Sequence, residues 1–485
     1  VHKLTTNLAE NIQYLRSQLD RCGDIEFIEW SASLYLIYCK NLIDVQQLHQ
    51  QVFQPLYENL ERNDVTSIED FTSLKDSISP TSSLVLSEDA DEMIDRILNG
   101  SLALLINNQS KALLIDLANV TFRKVEKPSN ESNIRGPNHA FVETLHTNLS
   151  LMRYILPHPS FKVEMMQIGK YSHTKIAIVY IDDVVNDTAL QQVRERLSRI
   201  QIDAILGSGY LEELIEDHPF SLFPQMKNTE RPDTLAAALL EGRIGVMGDG
   251  TPYQLIVPTE FFMFLHAAED HYERFYIATA LRLIRILCLL IALLLPAFYI
   301  AVTTFHMEML PTEFAISIAE QREGVPFSAF FEAMIMELFL EIMREAGVRL
   351  PKAIGASVSI VGVLVIGDAA IISGIASPAM VIVVALTGIA SFAIPSFNIA
   401  ISLRLLRFLM MIISSALGLF GLMIGILAVI IHMNSIRSFG VPYLNVLSAP
   451  RPDSFKDFIA RFPHRFLKTR PSPYSKGDNT RYKRK

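Results

Sequence analysis

Four carboxylates in the second half of the chain have the residue types and spacing to do chemistry. Asp368 is the one ionisable residue in the otherwise apolar, Gly- and Ala-rich run Ile354 to Ile394. A carboxyl there costs about 2.5–3.5 kcal/mol on insertion scales unless it is paired, protonated or wetted. Glu337, Glu341 and Glu345 recur four residues apart in the segment 326–346. At ~3.6 residues per turn they fall within about 80° on one helix face, where each like-charge pair costs some 0.2–0.5 kcal/mol. Arg344 on the same face offsets part of that repulsion. A ring of such carboxylates around a water-filled axis selects cations; a solvated surface or an inter-subunit ion-pair face uses the same pattern. In the first half, Arg135, Arg231 and Asp249 stand in the polar motifs IRGP, TERPD and DGTP. These fit structural turns, with Asp-Gly for a hairpin and Pro after Arg for an extended bend, or contacts to a ligand or neighbouring subunit.

Enzymatic chemistry finds no foothold. Gly207-Ser208-Gly209 lacks the remaining glycine of a dinucleotide loop and reads as a turn. The 12 histidines form no HExxH and do not stand at metal spacing from cysteine, so no metal, cofactor or catalytic residue is expected. Cys22, Cys39 and Cys288 lie far apart and read as free thiols of a reducing compartment. The Arg/Lys- and aromatic-rich C-terminus suits anionic lipid headgroups, at about 1 kcal/mol per basic residue near the surface, better than nucleic acid.

The elements that must position these residues follow from segregated charge. Residues 1–285 carry a net −14, residues 286–433 a net −3 and residues 434–485 a net +9, against −8 for the 485-residue chain. This predicts an acidic α/β soluble N-terminal region of two lobes followed by an all-α transmembrane helical domain. Residues 1–135 form the first lobe, 136–158 a linker helix, and 159–280 the second lobe. Residues 281–435 form the membrane domain, with about four spans and the acidic helix at 326–346, and 436–485 the basic tail. Helical spacing is expected at 10–21, 46–60, 141–156 and 188–199, with a further helix after Gly209. Strands are expected at 25–28 and 34–37, in a hairpin turning at 107–110, in FKVEMMQIG and KIAIVYID, and in a hairpin turning at Asp249-Gly250. The spans fall near 286–305, 355–373, 378–395 and 408–431, since roughly 20 apolar residues cross a bilayer. The N-terminus has no apolar signal-peptide core, and Arg282, Arg285, Arg404, Arg407 and the tail put both termini in the cytoplasm.

The motifs together resemble the A subunits of bacterial spore germinant receptors, the GerA family. They are IRGP at 134–137, SGYLEELIEDHPFSLFP from Ser208, TERPD at 229–233, LLEGR at 239–243 and DGTPYQLIVP at 249–258. Further on stand EGVPFSAFFEAMIMELFLEIMREAGVRLP, SIVGVLVIGDAAIISGIASPAMVIVVALTGIASFAIPSFNIAISLRLLRF and IRSFGVPYL at 436–444. The match runs from about Asn133 to Phe462, and Asp368 stands where the family often has Gln. The resemblance implies a multi-pass subunit of the spore inner membrane. Its partners would be a transporter-like B subunit that senses nutrient and a lipoprotein C subunit. It would form a homo-oligomer that makes or gates a cation path, with Glu337, Glu341, Glu345 and Asp368 as the pore candidates. A carrier with a midplane site at Gly367-Asp368 and Ser377-Pro378, or a non-conducting scaffold, are the alternatives.

Overall fold

The computed structural model describes residues 2–57, 84–118, 135–349, 367–445 and 457–470, with residues 128, 130, 131, 133, 474, 475, 480 and 481. The chain divides into two compact units: residues 1–217, 226–259 and 467–485, and residues 218–225 with 260–466.

In the first unit, helix α1 (Leu8–Gln18) begins where the Asn7 side chain accepts from the Ala9 and Glu10 amides, satisfying donors that a helix start leaves unpaired. Short runs rich in apolar and aromatic residues give β1 (Ile25–Ser31) and β2 (Leu34–Cys39). Asp44 caps the short α2 (Val45–Leu48) in the same way, and helical turns continue to residue 57; the rest of the helix expected at 46–60 lies outside the described residues. After β3 (Leu84–Ser87) and the Asp89-capped α3 (Ala90–Leu98), strands β4 (Ser101–Ile106) and β5 (Ala112–Asp116) form the expected hairpin. The sheet order is β1-β2-β4-β5-β3. Leu15, Ile94, Ile97, Leu105 and Leu114 pack on one face, and Leu34, Leu36, Val52, Leu104 and Leu113 on the other.

A second sheet, β6-β7-β9-β10-β8, contains β6 (Phe161–Ile168), β7 (Thr174–Ile181), β8 (Lys227–Thr229), β9 (Ile244–Gly248) and β10 (Gln254–Val257). Around it lie α4 (Leu145–Ile155), α5 (Asp187–Arg199), α6 (Ser208–Ile215) and α7 (Pro232–Leu240). Two expected turns are helix starts instead. Ser208 and Gly209 open α6, and Pro232 occupies the first turn of α7, where its fixed φ and missing N–H cost nothing. Arg231, just before it, keeps the extended conformation.

Helix α4 is tied to both sheets. Arg153, fully buried, grips both oxygens of buried Asp24 at 2.8 and 2.9 Å and donates to the Phe161 carbonyl at 3.1 Å. The C-terminal tail also belongs to this unit. Tyr474 is buried under the Arg243 guanidinium, 3.8 Å from its ring centre. Arg470 donates to the Leu240 carbonyl, and Arg481 pairs with Glu241 at 3.0 Å. Gly242, at φ +94°, leaves room for the Tyr474 backbone, whose carbonyl oxygen would stand 2.6 Å from any Cβ there.

The second unit is helical: α8 (Phe275–Phe305), α9 (Thr312–Arg322), α10 (Ala329–Arg349), α11 (Pro378–Phe392) and α12 (Phe397–Ser435). Helices α8 and α12 are long and apolar enough to cross a membrane. Helix α12 is interrupted at Gly418, whose φ of 62° and ψ of −143° lie outside helical space, in a region essentially confined to glycine. There the chain reverses. A Cβ on Gly425 would stand 2.7 Å from the Met410 sulfur, and one on Gly421 2.6 Å from the Ile413 carbonyl oxygen. Those separations are impossible along a straight helix rising ~1.5 Å per residue. The open ends also meet: Ser402 donates to the Leu222 carbonyl, and Ser221 bonds His432 at 3.0 Å. The span expected at 408–431 is therefore two antiparallel half-helices, because the reversal needs only one glycine and no polar loop.

The first of these halves runs alongside α8 in the same direction, with Ser414 donating to the Ala297 carbonyl at 2.6 Å and Gly418 against Phe305 and His306. Helix α10 runs opposite to it and alongside α11, as Glu332 bonds Ser377 and Arg344 bonds Ser391. Of the span expected at 355–373, residues 355–366 lie outside the described residues, and 367–372 are helical.

Removing one partner of a buried ion pair costs about 3–5 kcal/mol, because the other charge is left unpaired in a dry site. Asp24→Asn is accordingly expected to make the α/β unit sensitive to limited proteolysis in far less urea than the parent chain. An Asp24→Asn, Arg153→Met double variant should recover part of that loss.

Candidate functional site

The acidic face of α10 is legible in the structure carboxylate by carboxylate. Glu337 is fully buried, and its Oε2 lies 3.1 Å from Nη1 of Arg407, which is 1 % exposed. One turn on, Glu341 is shared between Arg404 of α12 and Arg344 of its own helix, the latter at 3.3 Å. Arg344 also donates to the Ser391 hydroxyl at 2.8 Å and lies over the Phe392 ring, so its planar group is held from three sides. Glu345 is exposed and pairs with Arg349 at 2.6 Å. Asp368 is exposed and, among the described residues, makes no hydrogen bond or ion pair with these glutamates. The fold thus gathers Glu337 and Glu341, and gathers neither Glu345 nor Asp368 with them.

Spacing explains the match. Arg404 and Arg407 are three apart on one helix, Glu337 and Glu341 four apart on a helix running the other way, so both pairs close at once. The cluster of two carboxylates and three guanidinium groups carries one net positive charge. Arg407 Nε and Nη2 have no hydrogen-bond partner among the described residues.

Two further charged groups escaped the sequence reading. Glu332, also on α10 and fully buried, accepts from the Ser377 amide at 2.6 Å and from its hydroxyl, and lies 3.7 Å from Arg322. Asp270, fully buried, is flanked by Arg285 at 2.7 Å and Arg282 at 3.2 Å; Arg282 reaches on to Asp457 at 2.9 Å. The sequence shows Arg282, Arg285, Arg404 and Arg407 plainly, but beside apolar runs they read as markers of orientation. The signal that would have found the site is the i, i+3 arginine pair set against the i, i+4 glutamates.

In the α/β unit, Arg231 is buried: it holds Asp233 at 2.8 Å and donates to the carbonyls of Glu131 and Pro137. It therefore fastens the segment on which exposed Arg135 stands. Glu131 accepts from the Thr229 hydroxyl at 2.6 Å, and burial pushes its carboxyl above the usual range. Asp249 accepts from the Leu145 amide at 2.8 Å and so caps α4. Among the described residues no group of three or more His, Cys, Asp or Glu is placed to hold a metal ion.

Residues 13–473 match the family described as Bacillus/Clostridium GerA spore germination protein. The chain belongs to the GerA family. It is 41% identical to spore germination protein KA of Bacillus subtilis (strain 168) over 99% of this chain and 88% of that one. Spore germination protein B1 of the same organism is 37% identical over 99% of both chains. The crystal structure of the N-terminal domain of the A subunit of the Bacillus megaterium spore germinant receptor GerK3 is 28% identical. It covers 54% of this chain and 98% of that domain, with a TM-score of 0.42. The charged residues of the candidate site, from Arg135 to Arg407, lie within the span matched to the GerA family.

In this family member Glu337 is buried against the Arg407 cation, so its pairing is testable by a double-mutant cycle. Glu337→Gln and Arg407→Met alone are each expected to lower the yield of folded, detergent-extracted protein sharply. The double variant should lose less than the sum, giving a coupling above about 1 kcal/mol; additive losses would show the two side chains to be independent.

Proposed function

We propose that this chain is the A-type subunit of a nutrient germinant receptor in the spore inner membrane, and that as a homo-oligomer it gates a cation path. A transporter-like B subunit would take the nutrient and a lipoprotein C subunit would complete the receptor. Membership of a family of spore germination proteins and the two long apolar helices support a membrane subunit with that task. The observation that carries the mechanism is the double ion pair between α10 and α12, Glu337 with Arg407 and Glu341 with Arg404.

In this reading the pairs are a latch. Carboxylates that would attract cations are neutralised within the chain, and α10 is held against α12. Opening requires that they exchange partners for water around a shared axis, where rings of carboxylates favour cations. Nutrient binding can drive that only through contacts that differ between the closed and open states. Glu345 and Asp368, which are not held by α12, line the path in both states, and Arg135 contacts a neighbouring subunit. Neutralisation within one chain also favours a second reading, a non-conducting scaffold whose charges only fasten helices.

Helix directions support a membrane domain of six passes. Helix α8 and residues 397–417 cross one way, and α10, α11 and residues 419–435 the other; the sixth pass is the span expected at 355–373, most of which lies outside the described residues. The number is even, so both termini share the cytoplasmic side. Helix α11 measures only about 22 Å at ~1.5 Å per residue, shorter than the ~30 Å hydrocarbon core, and would lie where the protein thins the bilayer.

Two measurements bear on this. A cysteine at Leu417 or Leu419 should react with an impermeant probe from the side opposite to one at Ser435; labelling of both from one side would remove the six-pass arrangement. Glu341→Gln and Asp368→Asn, at matched receptor levels, should each change nutrient-triggered cation release severalfold or alter its ion preference. Unchanged release in both variants would leave the scaffold reading as the better one.

A further inference from the structure

The start of α8 is built unlike the rest of the helical unit. Residues 457–466 are clamped across its first two turns. The Arg461 amide donates to the Thr279 hydroxyl at 3.1 Å, and its side chain donates to the carbonyls of Glu273 and His271 at 2.6 and 3.1 Å. Asp457 pairs with Arg282, and the Phe458 ring packs on Phe262 at 3.8 Å. So many contacts fix the backbone of this segment, yet they leave one side bare. On the helix Arg274, Phe275 and Tyr276 are exposed; on the clamped segment Phe462, Arg465 and Phe466 are exposed. The acidic residues close by are engaged elsewhere: Asp270 and Glu269 face Arg285, and Asp457 faces Arg282. Glu273 adjoins Arg274 and only partly offsets it.

We propose that this collar of Arg274, Phe275, Tyr276, Phe462, Arg465 and Phe466 binds the headgroup of an anionic phospholipid. Aromatic rings settle at the level of lipid headgroups, and arginines there draw anionic lipid with about 1 kcal/mol each. A free phosphate would need only the charges. The collar instead continues into an exposed apolar stripe along α8, through Leu283, Leu287 and Leu290, which share one helix face with Tyr276. Such a stripe suits acyl chains, so the ligand combines a negative head with an apolar body. The inference rests on the reading that α8 spans the bilayer. The lipid binds where the strand of chain returning from the membrane is locked to α8, so it reinforces that lock from outside.

The test uses the full-length chain in liposomes. Resistance to carbonate extraction checks the spanning reading separately, and release by carbonate would overturn that reading and the collar with it. The extracted protein is then examined by native mass spectrometry with phosphatidylglycerol and phosphatidylcholine of the same acyl composition. The parent chain should retain phosphatidylglycerol in preference. Arg274→Gln and Arg465→Gln should each reduce that preference about fivefold, the double variant more, while Lys111→Gln in the other unit leaves it unchanged. Equal retention of phosphatidylglycerol by the parent and the double variant would overturn the proposal, as would its displacement from the parent by millimolar inorganic phosphate.

Discussion

A charge taken out of water must find an opposite charge, and the architecture of this chain depends on that constraint at each of its dry sites. Asp24 with Arg153 fastens a helix between two sheets, Asp270 with Arg282 and Arg285 fastens the base of the first long helix, and Glu337 with Arg407 fastens two helices of the apolar unit. Apolar packing alone discriminates poorly among helix registers when nearly every side chain is Leu, Ile, Ala or Val, because a shift by one turn exchanges like for like. A buried ion pair does not tolerate that shift. The desolvation of both partners makes such pairs weak contributors to net stability, so their value here is in selecting one arrangement.

The α/β part was legible because its signals are local. Short apolar runs in LYLIYC and KIAIVYID, the turn residues between β4 and β5, and capping side chains at Asn7, Asp44 and Asn186 each act over a few residues. The helix start at Pro232 was misread as a turn, and the helix opening at Ser208 was expected only after Gly209, because Gly and Pro mark both turns and helix ends. The acidic face of α10 was likewise visible from its period. What the sequence could not show was its partner: Arg404 and Arg407, which meet Glu341 and Glu337, are some 60–70 positions away. Nothing local says that α12 runs antiparallel to α10.

The return of the tail was invisible for the opposite reason. A run of basic residues after an apolar helix suggests lipid, and that composition hides the one residue that matters, Tyr474, which is buried against Arg243 and over Gly242. Part of the tail therefore serves the α/β unit, while the aromatic and basic residues just before it, Phe462 to Phe466, remain exposed.

The reversal at Gly418 has a consequence for biosynthesis. Its tip, Leu417 to Gly421, carries no charge; Arg404 and Arg407 lie inside the first half, and Arg437 stands just beyond the open end of the second. Orientation signals are read from basic residues beside apolar segments, so here they act on one end only, and the two halves must enter the membrane as a single object. Neither half has a flanking charge at the tip to arrest it halfway. An added arginine near Gly418 would therefore act on the translocation machinery, stranding a half-inserted intermediate, rather than on the finished fold.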